Sequence, residues 1–134
     1  HQRVMSKIDE MVREGLAHHQ AGRRDSARGL YLKALARQPS HPAANHLLGL
    51  LFLQQGEANE AVKHLQRAVR GNRSAEYLGN LGTALNAAGR HGEALDSFDA
   101  ALALQRMNQR VDRRGFEGVA ADQQRVKRQR LPQP

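Results

Sequence analysis

Residues 80–102 read NLGTALNAAGRHGEALDSFDAAL. Most of these residues are good helix formers, yet Gly82, Gly89 and Gly92 stand among them. A glycine inside a helix costs about 1 kcal/mol relative to alanine, so glycines at fixed places need a structural reason. Overlaying the chain on itself supplies one. Thirty-three residues earlier the sequence is LLGLLFLQQGEANEAVKHLQRAV, residues 47–69. There Gly49 aligns with Gly82, Gly56 with Gly89, Ala61 with Ala94 and Ala68 with Ala101. Thirty-four residues earlier again, Gly15, Gly22, Ala27 and Ala34 take the same places. Tyr31, Leu65 and Phe98 recur between the two alanines. Four small positions and one large one in register three times mark an internal repeat.

Each position has a physical task. Apolar residues recur at three- and four-residue spacing on both sides of the second glycine, the pattern of two amphipathic helices around a break. Gly22, Gly56 and Gly89 belong at that break, where a left-handed backbone costs glycine little. Gly15, Gly49 and Gly82 lie inside the first helix, where a missing side chain lets the second helix approach. Ala27, Ala61 and Ala94 are expected to face them, while Tyr31, Leu65 and Phe98 fill the space towards the next unit. Gly92 falls near the start of the last second helix. Asp25 and Asn59 are candidate N-caps of second helices, and Ser40 and Ser74 of first helices. Pro39 stops one helix and Pro42 suits the start of the next. The expected units are 8–41, 42–74 and 75–108, after an extension of the first helix over residues 1–7. Three stacked hairpins are about the minimum that buries a continuous core.

A 34-residue helix-turn-helix with small residues at its eighth, twentieth and twenty-seventh places resembles the tetratricopeptide repeat. The resemblance covers residues 8–108. It departs from the family pattern at the fourth place (Met11, Asn45, Leu78), at Glu14 in place of leucine, and at His18 in place of an aromatic. Arg73 and Arg106 stand where the closing proline would be, which is present only as Pro39. The third unit, with Asn80, Leu81 and Gly82, looks like the repeats that precede O-linked N-acetylglucosamine transferase domains. The resemblance implies an all-α, right-handed solenoid of three hairpins whose first helices line a concave groove for a peptide or partner helix. The implied groove positions are the second, fifth, ninth and twelfth of each unit. They hold Asp9, Val12, Leu16 and His19, then Ala43, His46, Leu50 and Leu53, then Glu76, Gly79, Thr83 and Asn86. With Asn80 as a further backbone-binding amide, the groove is expected to be apolar in its first two units and polar in its third. Val12, Leu16 and Leu47 stand where a clamp for acidic chaperone tails would need cations and amides, which argues against that ligand class.

Composition narrows the function classes. The 134 residues include no cysteine and no tryptophan. That removes disulfides, thiolate metal sites and cysteine nucleophiles, and it fits a reducing, cytoplasmic setting. No apolar run is long enough to span a bilayer. The chain opens at His1 rather than methionine, as expected of a fragment or a processed piece. His18 and His19 are adjacent, and His41 and His46 are five apart. Neither pair places two ligands on one helix face, so no metal is expected. His18 falls at a core position by register. No nucleophile–base pair or phosphate-binding glycine loop is present, and Asp96 and Asp99 read as a solvated face. Neither catalysis nor a cofactor is expected. The primary expectation is a protein-binding scaffold. One alternative is a substrate-presenting arm of a larger glycosyltransferase or methyltransferase, which the length of the parent gene would decide.

The net charge of +8 is uneven. Residues 1–105 hold 13 Lys/Arg against 10 Asp/Glu, and residues 106–134 hold 8 against 3. Three readings of the basic segment 109–134 stay open: an irregular capping helix, a disordered extension touching nucleic acid or an acidic surface, or foreign sequence. No base-stacking aromatics accompany its arginines, which weighs against specific RNA binding. An incompletely capped array leaves apolar surface at one end, so self-association by end-on stacking or helix exchange is expected.

Overall fold

The computed structural model describes residues 5–130, with side chains as far as Arg114. Six helices follow one another: α1 (Lys7–Gln20), α2 (Arg24–Arg37), α3 (Pro42–Gln54), α4 (Ala58–Gly71), α5 (Ala75–Ala87) and α6 (His91–Arg130). Among the described residues there is no strand. Each helix packs on the next, and α3 also touches both α1 and α5. The result is an α-solenoid of three hairpins, with α1, α3 and α5 forming one layer and α2, α4 and α6 the other.

The hairpin turns are alike because one glycine does the same work in each. Gly22, Gly56 and Gly89 have φ of 81°, 79° and 79°. The following residue donates back into the helix end: Arg23 N–H to the His18 carbonyl at 2.8 Å, Glu57 to Phe52 at 2.9 Å, Arg90 to Leu85 at 2.8 Å. Each glycine N–H closes the inner bond, to His19, Leu53 and Asn86 respectively. This is the Schellman motif three times over, and it satisfies carbonyls that the helix end would otherwise leave open.

The interior glycines mark helix contacts. A Cβ built on Gly15 would sit 2.6 Å from the Tyr31 ring, on Gly49 2.7 Å from Leu65 Cγ, and on Gly82 2.6 Å from the Phe98 ring. The large residue of the same hairpin therefore fills the glycine's space, rather than reaching chiefly towards the next unit. The alanine lies beside it, and the Ala61 carbonyl would be 3.3 Å from a Cβ on Gly49. Ala27, Tyr31, Ala34, Ala61, Leu65 and Ala68 are wholly buried, and Ala94 and Ala101 nearly so. The main core runs through Tyr31, Leu48, Leu51, Leu65 and Leu85, with Phe98 packed against it.

Several caps differ from expectation. Helices α2 and α4 begin after Arg23 and Glu57, which give no side-chain cap bond. Asp25 and Asn59 lie inside the first turn, where Asp25 still favours the helix dipole. For α3 the cap is His41, not Ser40: its Nδ1 accepts the Ala44 N–H at 3.1 Å. Ser74 caps α5 by accepting the Tyr77 N–H at 3.1 Å. Ser6 caps α1 in the same way.

The third second-helix does not stop near residue 108. Helix α6 runs for 40 residues to Arg130, so residues 109–130 prolong it instead of starting a separate element. At 1.5 Å per residue it is about 60 Å long, against about 20 Å for α5. Residues 1–4 and 131–134 lie outside the described residues.

Candidate functional site: the inner helical face

Helices α1, α3 and α5 are cross-linked by polar bridges, mostly through histidines. His41 Nε2 donates to Asp9 Oδ1 at 2.9 Å, tying the start of α3 to α1. The tautomer follows from the cap, since Nδ1 is occupied as an acceptor. Nearer the other end, His19 Nε2 meets Gln54 Oε1 at 2.8 Å and His19 Nδ1 meets the Tyr31 hydroxyl at 3.3 Å. Between α3 and α5, Asn80 Nδ2 donates to His46 Nε2 at 2.8 Å. The His46 ring also stacks on Tyr77 with centroids 4.2 Å apart. Burial holds the His46 pKa below its ordinary value, and the carboxylate of Glu76 only partly opposes this. A neutral ring is what the Asn80 bond requires.

A second network anchors α3 to its own hairpin. Asn45 is wholly buried. Its amide donates to the carbonyls of Pro39 at 2.9 Å and His41 at 3.2 Å, and its oxygen faces His64 Nδ1 at 3.0 Å. That arrangement places the proton of His64 on Nδ1. The ring stacks on Phe52. Burial, followed by the charge of Arg67, lowers the His64 pKa. Neither Asn45 nor His64 was singled out as a functional residue. The signal was the departure from an aromatic at the fourth place, which here is a hydrogen-bond hub.

Between the bridges lies an open strip. Leu16 and Leu50 at the ninth places, and Leu53 and His19 at the twelfth, are half-buried. Thr83 and Asn86 continue the strip and are exposed. Thr83 Oγ1 donates to the Gly79 carbonyl of its own helix, and the Asn86 oxygen pairs with His91 Nδ1 at 3.0 Å. The fifth places differ from expectation. Val12 is 7% exposed and packs with Ala34 and Ala44, and His46 is 6% exposed. The fifth place falls between neighbouring first helices, so neither side chain lines the strip. Asn80 is half-buried and committed to His46, so it is not a free amide for a peptide backbone. His18 is half-buried rather than core and accepts from Arg23 Nε at 2.7 Å.

The strip positions hold no Lys or Arg, while Asp9 and Glu76 lie at its margin. Among the described residues no group of three or more His, Asp or Glu gathers as a metal site. No helix of the described residues is long and apolar enough to cross a membrane.

A family model described as Tetratricopeptide repeat matches residues 12–76 and again 46–106. No curated protein matches the chain. Among solved structures, the crystal structure of MamA is similar with a TM-score of 0.71 at 19% identity, covering 77% of this chain and 61% of that one. The second TPR of Spaghetti (RPAP3), bound to the HSP90 peptide SRMEEVD, is similar with a TM-score of 0.70 at 20% identity, covering 74% and 93%. A further MamA structure, MamA AMB-1, shares 31% identity over 73% of this chain and 54% of its own length, with a TM-score of 0.67. The chain thus spans roughly three fifths or less of these two MamA structures.

Proposed function

The chain belongs to the tetratricopeptide repeat family, and from that premise we propose that it is a non-catalytic scaffold that holds an apolar or amphipathic peptide segment in the groove of α1, α3 and α5. The observation that carries this reading is the strip Leu16, Leu50, Leu53. These are half-buried leucines on the layer that the hairpins leave uncovered, held in line by the His19–Gln54 and His46–Asn80 bridges. Preformed, mostly apolar grooves with a few fixed polar groups bind peptides through helical anchors at three- and four-residue spacing. A peptide bound to the second TPR of Spaghetti supports this use of the fold. That peptide, SRMEEVD, is acidic. The strip here offers leucines and no cation, so the favoured occupant is apolar rather than acidic.

Selection of peptides from a displayed library against the full chain tests this. Binding of the enriched sequences, read by fluorescence polarisation, is expected to weaken at least about tenfold in Leu50→Asp/Leu53→Asp. The variant should keep its circular dichroism spectrum, because neither side chain is fully buried. Unchanged affinity in the folded double variant would contradict the assignment. A second reading has one observation behind it: Arg106, Arg110 and Arg113 are exposed along one side of α6, a geometry suited to phosphates. Binding of nucleic acid there must weaken steeply with salt, and a salt-independent affinity eliminates it.

A further inference from the structure

The two ends of the array differ in chemistry. At its beginning, Glu14 and His18 occupy the register positions held by Leu48 and Phe52 in α3 and by Leu81 and Leu85 in α5. Those four apolar residues are buried by the preceding hairpin. At these positions α1 presents a carboxylate and an imidazole instead. At the other end the substitution has not been made. Leu95 and Leu102 stand at the positions of Val62 and Val69, which α5 covers; Val62 is 1% exposed, whereas Leu95 is 61% and Leu102 48% exposed. In the earlier units the chain turns after α2 and α4 and sends back a helix over this face. Here α6 continues straight through that register to Arg130, so among the described residues no following helix returns to cover the leucines.

We propose that this face is covered by a second copy of the chain, α6 against α6, in an antiparallel two-fold pair centred on Leu102. The seam is Leu95, Asp99, Leu102, Arg106, Gln109 and Arg113, at alternating four- and three-residue spacing and all exposed. That spacing keeps one line of side chains towards a partner helix. When Leu102 meets its symmetry mate antiparallel, Asp99 lies about 4.5 Å before the axis and the partner's Arg106 about 6 Å beyond it. Each Asp99 thereby faces an Arg106, twice per dimer. Parallel pairing would set Asp99 against Asp99 and Arg106 against Arg106. Head-to-tail stacking would bury Glu14 against Leu95 and Leu102, an unpaired carboxylate on an apolar surface. The polar start of the array thus rules against open-ended growth, and the self-complementary end favours a closed, isologous dimer. This pairing leaves the inner groove open and does not depend on what the groove binds.

Sedimentation of the full chain over a wide concentration range is the test, and a monomer–dimer equilibrium is expected. Leu102→Glu alters an exposed residue, so it should leave the melting temperature of the monomer unchanged while abolishing the dimer. Asp99→Arg and Arg106→Asp should each weaken self-association about tenfold, because each reverses two pairs at once. An equimolar mixture of those two variants should recover dimers, now mixed, since every facing pair is again opposite in sign. A wild-type monomer throughout, growth beyond the dimer, or a mixture no better than its components would each overturn the proposal.

Discussion

Gly49→Ala isolates the packing term on which the hairpin stack rests. Alanine in place of glycine within a helix gains about 1 kcal/mol of propensity. At Gly49 the new Cβ would come within 2.7 Å of Leu65 Cγ, 3.1 Å of its Cδ2 and 3.3 Å of the Ala61 carbonyl. Leu65 is wholly buried, and the clash is with its branch point, so the side chain has little freedom to swing away. Overpacking of this kind costs about 1–3 kcal/mol, leaving a net loss of about 0–2 kcal/mol. Gly29 in α2 provides the reference, because nothing lies within 4 Å of a Cβ built there. Gly29→Ala should stabilise by about 1 kcal/mol. The propensity term cancels between the two variants, so the gap in stability reads the contact itself, about 1–3 kcal/mol. Urea titration followed by circular dichroism measures it. Adding Leu65→Ala should remove the clash, so the double variant should be less destabilised than the sum of the singles. If Gly49→Ala stabilises as much as Gly29→Ala, the close-approach account of these glycines is wrong.

Other outcomes follow from the same contacts. Asn45→Ala strips partners from two carbonyls and from His64, and should cost about 2–3 kcal/mol in urea denaturation. Ser74→Ala should cost about 1 kcal/mol by removing the α5 cap, whereas Ser40→Ala, beside the true cap His41, should leave the unfolding midpoint nearly unchanged. His46 and His64 have folded-state pKa values below the ordinary one. On acidification the unfolded chain therefore takes up these protons first. Their contribution is complete above about pH 6.5 and is lost as pH falls towards and through the lowered folded-state values, at no more than about 1.4 kcal/mol per pH unit for each. Thermal melts of His46→Gln/His64→Gln should show a shallower loss between pH 6.5 and 5 than the wild type.

The repeat and its turns were legible in the sequence because each rests on one residue type with one physical use. Only glycine takes φ near 80° without strain, so Gly22, Gly56 and Gly89 announced the hairpin turns. Caps were less legible. Many polar residues precede a helix, and whether Ser40 or His41 turns inward depends on the fold of the loop. The inner strip was read in part. The resemblance implies one stripe holding Leu16, Leu50 and Leu53 together with Val12 and His46, but register alone does not tell an open face from a helix interface one position away, where Val12 and His46 are buried. The course of α6 beyond residue 108 was hidden for another reason. Gly115 and Gly118 fall within α6, and an isolated glycine in a helix costs only about 1 kcal/mol, too little to stop one.

The most direct measurement is amide and methyl chemical-shift mapping of the isotope-labelled chain titrated with a groove-selected peptide. Perturbations should concentrate at Leu16, Leu50, Leu53 and Thr83 on α1, α3 and α5. Shifts confined to α2, α4 and α6, with those leucine methyls unmoved at saturation, would contradict the account.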